Sequence, residues 1–222
     1  PPHQPPAPPP PAPHTNKTPH SADGPARFRL SSTSHWDSPL AIGNRTVHLL
    51  ASHPTPPVFD GREDRNGCRN HDEIRLWSDY VSGKADYLYD DAGNQGGLPS
   101  GSHFVIAGDL NADPIDGDSR DGAIQQLLEN EAVKRAVVPK STGGSYWSSQ
   151  QGGANSRHQG DPLCDTGDFS DKSVGNMRID YVLPSRTLNV VNSGVFWSKP
   201  DEAGAEAARQ SDHRLVWIDI QK

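Results

Sequence analysis

The short run His103-Phe104-Val105-Ile106-Ala107 opens directly into Gly108-Asp109-Leu110-Asn111-Ala112-Asp113-Pro114. An apolar stretch this brief, ended by glycine and then proline, predicts a buried strand rather than a helix. The strand delivers a carboxylate and a carboxamide, two positions apart, at its mouth. Alternate side chains on a strand point the same way, so Asp109 and Asn111 face one pocket if the extended geometry persists that far. An anion and a neutral hydrogen-bonding group aimed at one point suit a hard cation or a phosphoryl oxygen. Taken alone, the run suits a plain turn equally well, because Asp and Asn are common after strands.

Other segments repeat the pattern. His53 ends the run Val47-His48-Leu49-Leu50-Ala51-Ser52, Asp180 lies inside Met177-Arg178-Ile179-Asp180-Tyr181-Val182-Leu183, and Asp212-His213 opens the final strand Leu215-Val216-Trp217-Ile218. Each brings polar groups out of the core at or near one end. A carboxylate amid apolar neighbours, such as Asp180, is costly to bury unless paired. Its natural partner is a histidine, whose ring needs an acceptor to fix its tautomer. Pairing with the adjacent Arg178 is the plainer alternative.

In this order, Ser52-His53-Pro54, Gly108-Asp109-Leu110-Asn111, Arg178-Ile179-Asp180-Tyr181 and Ser211-Asp212-His213 resemble the endonuclease/exonuclease/phosphatase superfamily, the DNase I-like phosphoesterases. The resemblance runs from about Leu30 to the C-terminus. Ser34-His35-Trp36-Asp37 and Arg69-Asn70-His71-Asp72-Glu73-Ile74 are similar to a bacterial, secreted branch of it. The superfamily also carries an Asn and a metal-binding Glu on strands of its N-terminal half, and no position here matches them. The chain therefore resembles the C-terminal half of a family member.

That resemblance implies an α+β fold, half or most of a four-layer α/β/β/α sandwich. It implies a metal-dependent phosphoester hydrolase with His213 as general base, Asp180 as the partner of His213, and Asp109 positioning the nucleophile or contacting the metal. Asn111 would bind the scissile phosphate and Asp212 the metal. His53 would protonate the leaving oxygen or hold a phosphate oxygen. Mg²⁺ is the expected ion because the implied ligands are oxygens, with Ca²⁺ or Mn²⁺ as alternatives. A lone half would leave one sheet face uncovered, so the expected partner is the missing N-terminal half as a second polypeptide, or a homodimer mate. The alternative function is a non-catalytic binding or assembly module that keeps the fold but lacks half of the metal site.

Composition narrows the remaining choices. Residues 1–25 are crowded with proline and are expected to form an irregular lead, leaving residues 26–222 as the phosphoesterase portion. With 21 glycines and 21 prolines, loops should dominate. A net charge of −7 excludes a strongly cationic surface. It favours small phosphoesters over nucleic acid, with a phospholipid head group also open. No run approaches the ~20 apolar residues of a membrane span. Cys68 and Cys164 are compatible with one disulfide in a secreted protein, or with two unpaired thiols.

Strands are expected at residues 27–32, 36–42, 45–52, 103–107, 177–183, 187–197 and 213–220. Asn70 is the expected N-cap of a first helix, with Asp72 and Glu73 at its positive end and Ile74, Trp77 and Tyr80-Val81 on its buried side. A second helix is expected from Asp118 or Ser119, with Ile124, Leu127 and Leu128 as its stripe. Asp113, Asp116, Asp118 and Asp121 lack the ligand spacing of an EF-hand and are assigned turn and cap duties. Residues 139–176 form a long polar segment holding Tyr146-Trp147 and His158, read as a functional or irregular loop. Arg69 is a candidate phosphate contact, and Trp36, Tyr146 and Trp147 are candidate pocket aromatics.

Overall fold

The computed structural model describes residues 29–221. The proline-rich lead at residues 1–25 lies outside them, as does the start of the strand expected at 27–32. Residues 29–32 contain no strand. In chain order the elements are β1 (His35–Ile42), β2 (Arg45–Ser52), α1 (Arg65–Val81), β3 (His103–Asp109), α2 (Gln125–Leu128) and α3 (Thr142–Gln151). There follow β4 (Gly167–Asp168), β5 (Asn176–Met177), β6 (Asp180–Pro184), β7 (Val190–Phe196), α4 (Ala205–Ala208) and β8 (Leu215–Ile220). The fold is α+β.

One mixed sheet, ordered β1-β2-β3-β6, carries most of it. β1 and β2 form a hairpin through Gly43, whose φ of 64° is the left-handed geometry glycine accepts without strain. β3 runs parallel to β2, with α1 as the crossover that a parallel pair requires. β6 then returns antiparallel, setting Asp109 opposite Asp180. Separate small sheets are formed by β4 with β5 and by β7 with β8.

The period of two in the strands divides the sheet's faces. Leu50, Phe104, Ile106, Tyr181 and Leu183 turn to one side and pack on Ile74, Trp77 and Val81 of α1 and on Ile124 and Leu127. Val47 and Val105 turn to the other side, where Leu188, Val182, Ile218 and Ile220 meet them. The β7–β8 hairpin covers only part of this second face. Leu40 pairs with Val47 and Trp36 with Ala51 across the β1–β2 ladder, so both share that face. They remain 45% and 61% exposed.

Several expectations need correction. Helix α1 begins at Arg65, and Asn70 lies buried inside it, donating to the carbonyls of Thr55 and Leu110. The first turn, Arg65-Asn66-Gly67-Cys68, is a poor helix former by composition. It is fixed by tertiary contacts instead: the Asp60 carboxylate accepts the Asn66 amide, and Asn66 Nδ2 donates to Val58 O at 2.7 Å. Glu73, expected at a helix end, is completely buried and accepts the backbone amides of Ser32 and Thr55.

The second helix shrinks to a single turn, α2, because Asp121 and Gly122 take positive φ values of 47° and 66° just before it. The long segment at 139–176 is not a featureless loop. Ser141 caps α3 by accepting the Gly143 amide. Gly143 and Gly144 let the helix close on neighbouring backbone, where a Cβ would sit 1.7 Å from Trp197 O and 2.4 Å from Pro162 O. The strand expected at 177–183 breaks at residues 178–179 into β5 and β6.

Glu73, itself fully buried, ties two loops to α1 through the backbone amides of Ser32 and Thr55. Glu73→Ala should therefore cost on the order of 3 kcal/mol, read as a lower midpoint in urea unfolding. A change below about 0.5 kcal/mol would show that the amides find other partners.

Candidate active site

Asp109 ends β3 and Asp180 begins β6, and the ladder sets them directly opposite each other. Residues opposite in an antiparallel pair project to the same side, so two carboxylates meet at one sheet end. Gly108 permits this approach, since a Cβ there would lie 2.0 Å from Ser52 O at the end of β2. His213 arrives from another direction, through an isolated bridge with Gly167 just before β8. Its Nδ1 lies 3.1 and 3.0 Å from the two oxygens of Asp180. A carboxylate accepts, so Nδ1 carries the hydrogen and a neutral ring keeps Nε2 as an acceptor. That Nε2 is 3.9 Å from Asp109 Oδ2. On the far side, His53 Nε2 is 3.3 Å from the same oxygen.

Asn111 reaches this neighbourhood by a route different from the one expected. The extended geometry stops at Asp109. Asn111 has a φ of 51° and donates its amide to Asp109 Oδ1 at 2.8 Å, an Asx turn rather than a continuing strand. Its side chain then donates to Pro54 O at 3.0 Å, beside His53. Asp212 is exposed and stands outside the tight group, although its charge acts on both Asp109 and His213.

Burial raises the Asp109 carboxyl above its ordinary range, against the Asn111 amide and the charges of His53 and His213. Burial likewise raises Asp180, against the charge and hydrogen bond of His213. For His213, burial works to lower the pKa, but the charges of Asp180, Asp109 and Asp212 and the Asp180 hydrogen bond outweigh it and raise it. Ligand atoms of Asp109, Asp180 and His213 all lie within 4.8 Å of one another. Two desolvated carboxylates short of positive charge, one with an oxygen bonded to no amide, suit a hard divalent cation.

The remaining candidates have other duties. Arg178 stacks over the Tyr181 ring at 4.8 Å, leaving Asp180 to His213. Arg69 donates to the carbonyls of Leu30 and Arg29. Trp147 donates to Ser198 O and meets Tyr146 edge-on, while Trp36 lies on the open sheet face. His71 and Asp72 lie within α1, not at its N-terminus. Asp113 accepts the amides of Ile115 and Asp116, a turn duty, but also that of distant Arg178, and Asp116 accepts those of Gln159 and Gly160, so both tie remote segments together. Cys68 and Cys164 are free thiols. No helix among the described residues is long and apolar enough to cross a membrane.

Residues outside the sequence reading also shape the site. Arg214, next to His213, is buried, pairs with Asp168 at 2.5 Å and lies 4.4 Å over the Trp197 ring. Asp165 is buried as well. Burial, and then the like charges of Asp113, Asp116 and Asp161, push its carboxyl up to about 7. Asp165 carries no periodicity or spacing signal, and Arg214, at the start of an expected strand, is a charged residue that nothing in the sequence marks for burial.

Over residues 8–213 the chain matches the family described as the Endonuclease/Exonuclease/phosphatase family. No curated protein matches it. Among solved structures it is similar to an endonuclease/exonuclease/phosphatase family protein from Leptotrichia buccalis C-1013-b, at 16% identity and a TM-score of 0.43, covering 83% of this chain and 51% of that one. It is also similar to a mutant beta toxin from Staphylococcus aureus with bound magnesium ions, at 14% identity and a TM-score of 0.42, covering 82% and 52%. A third similarity is to sphingomyelinase C from Streptomyces griseocarneus, at 13% identity and a TM-score of 0.34, again covering 82% and 52%. The chain spans about half the length of these structures.

The raised Asp165 pKa has a definite sign. A folded pKa above the unfolded 3.8 contributes stability that is intact below about pH 4 and lost as pH climbs through about 7. Asp165→Asn should therefore raise the melting temperature at pH 8 and leave it nearly unchanged at pH 4. Equal shifts at both pH values would contradict the assignment.

Proposed function

The chain belongs to the Endonuclease/Exonuclease/phosphatase family, and we propose that it is a metal-dependent phosphoester hydrolase, or the C-terminal portion of one, within residues 26–222. The observation that carries this reading is the Asp180–His213 contact at 3.0 Å, with the other ring nitrogen turned to Asp109. In this reading His213 Nε2 takes the proton of the attacking water. Asp180 holds the Nδ1–H tautomer and stabilises the imidazolium that results. Asp109 orients the water through Oδ2, where both histidines converge.

His53 protonates the leaving oxygen or holds a phosphate oxygen, and Asn111 donates to the phosphate with the amide hydrogen not given to Pro54. Asp109 and Asp212 would hold Mg²⁺, with Ca²⁺ or Mn²⁺ as alternatives. When bound, such an ion offsets the charge that builds on the phosphoryl oxygens. The candidate substrates are nucleic acid, phospholipid and small phosphoesters, and the net charge of −7 favours the small ones.

The open sheet face bearing Trp36 and Leu40 supports a partner, either the N-terminal half as a second polypeptide or a second copy of the chain. The alternative is a non-catalytic binding or assembly module, for which the support is that no position in this sequence matches the family's metal-binding Glu.

Turnover of bis-(p-nitrophenyl) phosphate with Mg²⁺, with and without EDTA, separates these readings. Hydrolysis should vanish with EDTA and fall by roughly 100-fold or more in Asp109→Ala and His213→Ala. Activity insensitive to both substitutions removes the site assignment. If the N-terminal half is required, the isolated chain should be nearly inactive and a second polypeptide should co-purify with the active form. Full turnover by the 222-residue chain alone would contradict that requirement.

A further inference from the structure

Asp180 begins β6 of the four-stranded sheet, whereas His213 lies just before β8 of the separate hairpin. A contact of 3.0 Å between them needs something that fixes one sheet against the other. The strip Thr166-Gly167-Asp168 lies between them and bonds to both sides. On the Asp180 side, the Thr166 amide donates to Met177 O at 2.9 Å. Thr166 Oγ1 accepts the amides of Ile179 at 3.0 Å and Asp180 at 2.9 Å. On the His213 side, the Arg214 amide donates to Thr166 O at 2.7 Å, and the Asp168 amide donates to Asp212 O at 2.8 Å. Gly167 forms the bridge with His213 itself.

The Thr166 side chain is the central link. A hydroxyl offers one hydrogen and two lone pairs. Here both lone pairs receive amides, one of them the Asp180 amide itself, and the hydroxyl acts to favour the charged form of the Asp180 carboxyl. Thr166 is only 1% exposed. The amides it accepts are those freed where the strand breaks between β5 and β6, so they have no ladder partner of their own.

We propose that Thr166 is a positioning residue of the active site, holding Asp180 at the distance and orientation that fix His213. This rests on the phosphoesterase reading for its effect on turnover, but not for its effect on the Asp180–His213 bond. The groups facing that bond are Asp109 from β3, Asp212 beside His213, His53 across Asp109, and the Phe169 ring, whose edge-on contact with His213 is 5.8 Å between centroids.

The test compares Thr166→Val, which keeps the shape and removes the hydroxyl, with Thr166→Ser, which keeps the hydroxyl, in the full 222-residue chain. The first readout needs no activity: the proton NMR resonance of the His213 Nδ1–H, identified by its loss in His213→Gln. It should persist in Thr166→Ser and disappear in a folded Thr166→Val. Its survival unchanged in Thr166→Val overturns the proposal.

The second readout is hydrolysis of bis-(p-nitrophenyl) phosphate with Mg²⁺. Here kcat should fall by roughly tenfold to a hundredfold in Thr166→Val with KM nearly constant, and Thr166→Ser should restore it. Equal losses in both variants overturn a positioning role. If the unsubstituted chain leaves this probe intact both alone and together with any co-purifying second polypeptide, the phosphoesterase reading fails and the NMR readout alone decides the inference. If Thr166→Val does not fold, amide exchange in the unsubstituted chain decides it. Ile179 and Asp180 amides exchanging as slowly as the β3 ladder support the clamp, and exchange at exposed-loop rates overturns it.

Discussion

The bond between His213 and Asp180 is the constraint around which the rest of the site is arranged. Two carboxylates, Asp109 and Asp180, end on adjacent strands in direct register, and burial makes ionising either one costly. Such a pair is tolerable only if positive charge or hydrogen donors arrive from elsewhere. His213 supplies a hydrogen donor to Asp180 from the approach to a separate sheet, and His53 adds a second imidazole to Asp109. The backbone irregularities nearby follow from this need. The break before β6, the left-handed Asn111 and the side-chain-free Gly108 each remove regular structure where a strand end must approach another group closely.

Much of this was legible in the residues. An apolar run ending at Asp109, another enclosing Asp180 and a third opened by His213 gain force by occurring jointly, and buried acids demand partners whatever the fold. The Asp180–His213 pairing follows from that demand. Asn111 is more instructive, because it reaches the site although the reason given for it fails. Strand alternation does not extend past Asp109, and an Asx turn brings the side chain back to Pro54.

What could not be read depends on tertiary contact. Thr166 and Asp165 lie in a stretch with no apolar period and Arg214 at the polar start of the last strand, and their roles arise only when distant strands are brought beside them. The start of α1 was hidden for the same reason, since Asp60 and Val58 hold a turn that helix propensity alone would not form. Glu73 shows the reverse error: an acid near an expected helix end was assigned to the dipole, yet it is buried as an acceptor for loop amides. In α3, a pair of glycines suggested a loop. They serve instead as the only residues small enough for helix and backbone to touch.

The outer strand β1 has one further physical consequence. It is the margin of the four-stranded sheet among the described residues, and Pro39 sits in its middle, opposite His48. Proline offers no N–H, so the rim cannot be lengthened regularly by another strand hydrogen-bonding along it. Trp36 and Leu40, in contrast, stay adhesive at right angles to that rim. Ribbon growth along that rim is thereby blocked, and the surface left open to a neighbour is the flat side of the sheet.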